Sequence, residues 1–174
     1  MGVNVIKIKE KGEEMDTVIE ETMAIINMYP DIFPHMYKQG FKLVGRIQKG
    51  NLILQDGVMI TFTQYSQRGK LSRNATTIRK QKDFIIHQIA SDQNQKGATK
   101  KVLDEFVQYC KSKGAGNILL TVRAFNDRAR KFYERYGFKY DSDIQWNSKV
   151  TGVIPGVIYK LQLEKIKSDK FFQF

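Results

Sequence analysis

A chain of 174 residues, 41% hydrophobic and with eleven phenylalanines, is long enough for one domain to bury roughly 70% of the surface its unfolded form exposes. Its single cysteine, Cys110, excludes an intramolecular disulfide framework, and no membrane-length apolar run or basic-then-apolar leader is present, which predicts a soluble, unprocessed, cytoplasmic protein without membrane association. The net charge of +11 is uneven: residues 1–56 hold seven Lys+Arg against eight Asp+Glu, and residues 57–174 hold twenty-two against ten. That excess favours polyanionic partners such as nucleic acid or a phosphorylated cofactor, or simply a solvated basic surface, and disfavours a strongly cationic small substrate.

Val3 to Lys9 mixes β-branched and polar residues at near-alternate positions and predicts an edge strand. From Glu13 the period becomes helical: Met15, Val18, Ile19, Thr22, Met23 and Ile26 share a stripe, with Glu13, Glu14 and Asp16 at the positive end of the dipole, so a helix is expected to about Met28. The two prolines in YPDIFPHMYKQG predict a loop and then a short second helix ending near Gly40. Asn51 to Gln55 and Val58 to Tyr65 flank Asp56-Gly57, a hairpin signal, with Ile60 and Phe62 toward the core. Residues 57–82 contain no acid but six cations, Arg68, Lys70, Arg73, Arg79, Lys80 and Lys82, which reads as a mobile or hairpin-tip basic loop able to track a phosphate backbone.

The stretch from Asp83 to Gly114 holds an apolar strand, a polar turn and an amphipathic helix with Ala98, Val102, Leu103, Phe106, Val107 and Cys110 on one face. A turn that opens a helix presents unpaired backbone N–H groups and the positive end of a dipole, a cradle for phosphate. Ile118 to Val122 is a continuous apolar run, so strand, helix and strand form a parallel crossover. A helix from about Asn126 to Tyr136, stopped by Gly137, is followed by a short strand around Ile144 to Trp146, the loop NSKVTGVIP, and a strand from Gly156 to Glu164. Residues 1–165 are expected to form a single domain and 166–174 a basic aromatic tail. Two separated histidines and one cysteine show no zinc spacing, so no metal site is expected.

The order βααβββαβαββ, with two motifs, resembles the GNAT superfamily of acyl-coenzyme A-dependent N-acyltransferases, and implies an α/β fold with a central mixed, twisted sheet flanked by about four helices. In the cradle, where the family carries Arg or Gln, two residues, Gly, one residue, then Gly or Ala, this chain reads Asn94, Gln95, Lys96, Gly97, Ala98 and Thr99, keeping the first glycine and placing a β-branched residue at the final small position. In NDRARKFYERYGF, Asn126, Ala129, Tyr133, Gly137 and Phe138 all stand where the family places these residue types.

The resemblance implies acetyl-CoA as acyl donor. Gln95 to Thr99 would hold the pyrophosphate, with Lys96, Lys100 and Arg128 as further phosphate partners. The backbone of Gln88, Ile89 and Ala90 on a splayed strand would meet the pantetheine amides, with Asn126 bonding the same arm. Tyr133 would protonate the departing thiolate, a phenol of pKa about 10 being a competent donor within hydrogen-bond reach. His87, alternating with Ile85 and Ile89 among apolar neighbours, has the intrinsic pKa of a general base or is a structural histidine; Asp92 is a further candidate base. Tyr29, His35 and Tyr37 belong to the loop that walls the acceptor site in the family. The basic segment from Arg68 to Lys82 points to a macromolecular or nucleic-acid-associated acceptor. A branch resembling the phage Mom proteins, which modifies adenine in DNA, and a non-catalytic nucleic-acid-binding module on a degenerate fold of this type stand as alternatives.

Overall fold

The computed structural model describes residues 2–33, 36–149 and 152–163. In chain order the elements are β1 (Val5–Ile6), α1 (Glu13–Ile26), α2 (Met36–Lys49), β2 (Leu52–Gln55), β3 (Val58–Gln64), β4 (Phe84–Ser91), α3 (Ala98–Ser112), β5 (Asn117–Arg123), α4 (Asp127–Tyr136), β6 (Lys139–Ser148) and β7 (Gly152–Gln162). The eleven elements follow the expected order, and the basic aromatic tail expected at 166–174 lies outside the described residues.

The strands form one seven-stranded sheet in the order β1-β2-β3-β4-β5-β7-β6. β4 and β5 are parallel, as the α3 crossover requires, and the other neighbours are antiparallel. Asp56 (φ 51°) and Gly57 (φ 72°) turn β2 into β3, and two consecutive positive φ angles make the tight turn that Asp-Gly favours.

Each face of the sheet has its own apolar layer. Phe62, Phe84, Ile86, Leu120 and Tyr159 pack with Val102, Leu103 and Phe106 of α3 and Tyr133 of α4. Leu52 and Met59 pack with Met15 and Ile26 of α1 and Leu43 and Ile47 of α2. Ile60 and Phe62 are buried, as their strand pattern required.

Three local expectations are corrected. The second helix does not end near Gly40; it continues through Gly40 and Gly45 to Lys49. Leu43 and Ile47, one turn apart, are fully buried against α1, and that burial outweighs roughly 1 kcal/mol per mid-helix glycine. The last two strands are also longer than expected: β6 begins at Lys139, and Ser148 already pairs Gly152, so most of the expected loop is ladder. Pro155 is tolerated inside β7 because its carbonyl accepts from Ala124 N–H (3.0 Å) just beyond the end of β5. The N–H that proline lacks would point to that same side, where no strand remains to receive it.

The third correction concerns the face of His87. Thr61 pairs Gln88 while Phe62 pairs Ile86, so His87 is the extra residue of a β-bulge in β4. The bulge reverses the alternation: Phe84, Ile86 and then Ile89 meet the α3 layer, whereas Ala90 joins the α1/α2 layer. His87 stands among polar groups on the α2 side, with Thr63 Oγ1 2.8 Å from its Nε2. The bulge also bends β4, whose ladder to β5 covers Phe84 to Ile86 alone, while β5 continues to Arg123. Beyond Ile86 the two strands part, and this gap is the origin of the site.

The acid-free basic segment is anchored along its length. Gly69 and Arg79 exchange backbone hydrogen bonds, and the Arg79 guanidinium stacks 4.1 Å from the Tyr65 ring centroid. Asp141, the extra residue of a bulge in β6, accepts from the Thr76 (3.0 Å) and Thr77 (2.7 Å) amides. Through these contacts the segment reaches from the end of β3 to the start of β6. Arg68, Lys70, Arg73, Lys80 and Lys82 remain exposed.

Candidate active site

The turn after β4 is built by its own side chains. Ser91 Oγ accepts from Gln93 N–H (2.9 Å), Asp92 Oδ1 accepts from Asn94 N–H (2.9 Å), and Gln93 takes φ 62°. Tyr29, after α1, donates to the Ser91 carbonyl (2.6 Å) and accepts from Gln93 Nε2 (2.7 Å), fixing the α1–α2 connection against the end of β4. Gly97 then enters the left-handed region (φ 78°) and caps α3. A Cβ there would meet no atom within 4 Å, so the position needs glycine for its backbone angle while the space above it stays open.

The opposite wall is α4. Asn126 caps it, its Oδ1 accepting from Ala129 N–H at 3.3 Å, which leaves the amide NH2 as a donor. Tyr133 is 7% exposed and packs edge-on to Phe132 and Phe138. Burial pushes its phenol well above the ordinary tyrosine value, so the proton stays on oxygen across the physiological range.

Between these walls lies a cleft of about 730 Å³, within the size range of cofactor sites. It brings together Ile89, Ala90, Asn94, Gln95, Lys96, Gly97, Ala98, Thr99, Asn126 and Tyr133, along with Lys100, Arg128 and Tyr29. His87, Gln88 and Asp92 are not among its lining residues. Thr61 Oγ1 donates to Gln88 Oε1 at 3.2 Å, and Asp92 serves the turn and closes on Gly57. His35 and the Tyr37 side chain lie outside the described residues. Ile32, Phe33 and Phe132 supply an apolar wall that no sequence motif marked; their signal was aromatic and β-branched residues beside Tyr29 and Tyr133.

His87 is exposed as a residue, but loss of water around the ring, then the charges of Arg46 and Lys42, lower its pKa to about 4. Arg46 Nη1 donates to Thr63 Oγ1 (3.1 Å), which also lies 2.8 Å from His87 Nε2. The imidazole is therefore neutral near pH 7.

The cleft suits a polyanionic, amide-rich ligand. In the first turn of α3, Lys101 N–H donates to the Gly97 carbonyl and Ala98 N–H to that of Gln95, which leaves the Thr99 and Lys100 amides for an anion; no acidic residue occupies that turn, and Lys96 and Lys100 flank it. The β4 edge toward β5 runs without a ladder beyond Ile86 and offers a peptide-like surface to an extended arm. No group of His, Cys, Asp and Glu able to hold a metal ion occurs among the described residues.

Known structures share this architecture. A putative acetyltransferase from Staphylococcus aureus Mu50 matches with a TM-score of 0.63 at 16% identity, covering 85% of this chain and 94% of that one. Arabidopsis thaliana NAA60, in complex with a bisubstrate analogue, matches at 0.59 and 13% identity over 92% and 98% of the two chains. Ard1 from Thermoplasma volcanium matches at 0.53 and 17% over 82% and 94%. A comparison with curated proteins gives no match. These likenesses establish the fold. Residues 24–138, well over half of the chain, match the acetyltransferase (GNAT) family model. The chain belongs to the GNAT acetyltransferase family and is an acyltransferase whose acyl donor is acetyl-CoA.

Proposed function

We propose that residues 1–165 form one N-acetyltransferase domain that holds acetyl-CoA in the β4–β5 cleft and acetylates an amine carried by a macromolecular, nucleic-acid-associated acceptor. The observation that carries this reading is the convergence of the Gly97 turn, the parted β4 edge, Asn126 and Tyr133 on one cleft. When bound, acetyl-CoA supplies an acyl group already activated as a thioester.

The chain's own residues do the rest. The Thr99 and Lys100 amides, with Lys96, Lys100, Arg128 and the Thr99 hydroxyl, bind phosphate oxygens. The backbone of β4 at Gln88, Ile89 and Ala90 and the Asn126 amide orient the arm, so that proximity supplies much of the rate. Tyr133 holds a proton for the departing sulfur. The burial that raises its pKa penalises a bare thiolate in the same place, so donor and acceptor stay matched. For the acceptor, support comes from the exposed cations of the 65–83 segment, Arg68, Lys70, Arg73, Lys80 and Lys82.

The test is incubation with labelled acetyl-CoA and, in parallel, duplex DNA, RNA and a protein lysate, with the label located by mass spectrometry. Transfer to a nucleic-acid fraction supports the proposal. Transfer to free proteins alone removes the nucleic-acid acceptor, and modification of DNA bases in duplex DNA would favour the Mom-like reading. Without transfer, and without a thermal shift on adding coenzyme A, the site assignment fails. Tyr133→Phe is expected to lower kcat by about 10²-fold or more with the Kd for coenzyme A unchanged; unaltered turnover would leave Tyr133 as a core aromatic.

A further inference from the structure

The α2 sequence carries four cations, Lys38, Lys42, Arg46 and Lys49, and no acid. Lys42 and Arg46 stand one turn apart, a spacing at which like charges repel. Arg46 reaches the sheet: its Nη1 donates to Thr63 Oγ1 (3.1 Å), which lies 2.8 Å from Nε2 of His87, the bulge residue of β4. That bond uses one of the five guanidinium N–H donors, and no other acceptor takes them among the described residues. Loss of water lowers the Arg46 pKa, so its charge is held there against a cost in solvation. No carboxylate answers it. Ion pairs among the described residues join Lys100 to Asp104 and Lys101 to Asp56, while the acids of α1 and Asp31 are exposed and bond neither Lys42 nor Arg46. The charges acting on His87 are those of Arg46 and Lys42, and both lower its pKa. Residues 34–41 include no acid in sequence, which leaves Glu164 and Asp169, beyond β7, as the acids outside the described residues.

We propose that Arg46 and Lys42, beside Thr63 and His87 at the β4 bulge, form a seat for a phosphate-type anion that is separate from the donor cleft. None of these four residues lines that cleft, so the seat stands or falls independently of it. The anion supplies what the cluster lacks: acceptors for the spare guanidinium donors and a negative charge between two cations. A phosphate can take two parallel N–H bonds from a guanidinium and a further contact from an ammonium, which matches the pairing of one arginine with one lysine. The position in the fold is equally specific. His87 follows Ile86, the last β4 residue laddered to β5, and the bulge carries it to the α2 side. The anion therefore sits where the two strands begin to part, on the side of β4 away from the α3 layer. The phosphate is either borne by the acceptor or a free ion, and the same chemistry recognises both.

The experiment titrates inorganic phosphate at pH 7 into the protein saturated with coenzyme A, which fills the other anion site. The imidazole resonances are followed by NMR, with His35→Gln identifying that of His87. A saturable shift at His87 is expected. Arg46→Gln should weaken the phosphate affinity by about tenfold and Lys42→Gln by about threefold, whereas Arg68→Gln, in the basic segment, should leave it in place. Lys42 is exposed, so its variant keeps the test sharp where Arg46→Gln disturbs the packing of α2. Two oligonucleotides alike but for a 5′-phosphate separate the sources. Tighter binding of the phosphorylated one, lost in Arg46→Gln, puts the phosphate on the acceptor; equal Kd values with inorganic phosphate still bound make it a free ion. No saturable shift at His87, an unchanged affinity in both α2 variants, or an equal loss in Arg68→Gln would overturn the inference. Because His87 reports the seat alone, a failure of coenzyme A to raise Tm would sink the reading of the cleft and leave this one standing.

Discussion

His87 shows how one residue's environment decides what it can do. Its ring sits beside Arg46 and Lys42 with restricted hydration, and its pKa falls from 6.5 to about 4. An unfolded chain therefore takes up the proton first as pH drops, so stability is lost on going from about pH 6.5 toward 4 and is fully present above that window. Because the residue is exposed, solvent screening trims the effect to the order of 1 kcal/mol, or about 2–4 °C in Tm for a chain of this length. Calorimetry at pH 7 and near pH 4.5 should show a smaller acid-side drop for His87→Gln than for the parent. An equal drop would mean that the imidazole is fully hydrated. The same logic separates it from Asp83, which is fully buried yet accepts from the Lys80, Gly116 and Asn117 amides and the Asn117 side chain. That carboxylate ties the starts of β4 and β5 together where they do pair.

Among the elements, the latch between β6 and the basic segment is the contact that most clearly ties a loop to the sheet. Asp141 spends both carboxylate oxygens on the Thr76 and Thr77 amides, and its backbone carbonyl accepts from Thr76 Oγ1 at 3.1 Å. Asp141→Ala should cost about 1–3 kcal/mol through the orphaned amides. Hydrogen exchange at Thr76 and Thr77 should accelerate by about tenfold or more while the β3–β4 amides stay protected. Unchanged exchange would show that other interactions hold the segment. This latch was not legible in the sequence, because KYDSD reads as a polar loop when an edge strand has little apolar surface to bury and a bulge breaks its period. Nor was the length of α2, where Leu43 and Ile47 override two glycines only once α1 is present to cover them. Where one residue's backbone demand or one helix's period decides, the sequence speaks plainly: Asp56-Gly57, Gly97, and the α3 stripe from Ala98 to Cys110. The cleft was legible on its α3 and α4 walls for that reason, whereas Ile32 and Phe33 enter it through the long-range hydrogen bonds of Tyr29 and Arg123.

At the scale of the whole molecule, charge is sorted by position in the chain: nearly balanced in residues 1–56 and strongly positive afterwards. The positive part includes the exposed Arg68, Lys70, Arg73, Lys80 and Lys82 of the segment between β3 and β4. If three or more of these cations meet phosphates of a duplex acceptor, kcat/KM for that acceptor should fall with a log–log salt slope of about −3 or steeper, a loss of tens-fold between about 50 and 200 mM. Replacing Arg68, Lys70 and Arg73 together by Gln should flatten the slope by about one unit for each phosphate no longer neutralised and leave the Kd for coenzyme A in place, since none of the three lines the cleft. Steady-state kinetics over a salt series, with coenzyme A binding followed in parallel, separates the two sites. The donor carries few phosphates and its own dependence is correspondingly shallow. A slope for the acceptor no steeper than that for the donor would assign the positive surface to solubility alone, because a polyanion drawn along these cations must release its counterions as it binds.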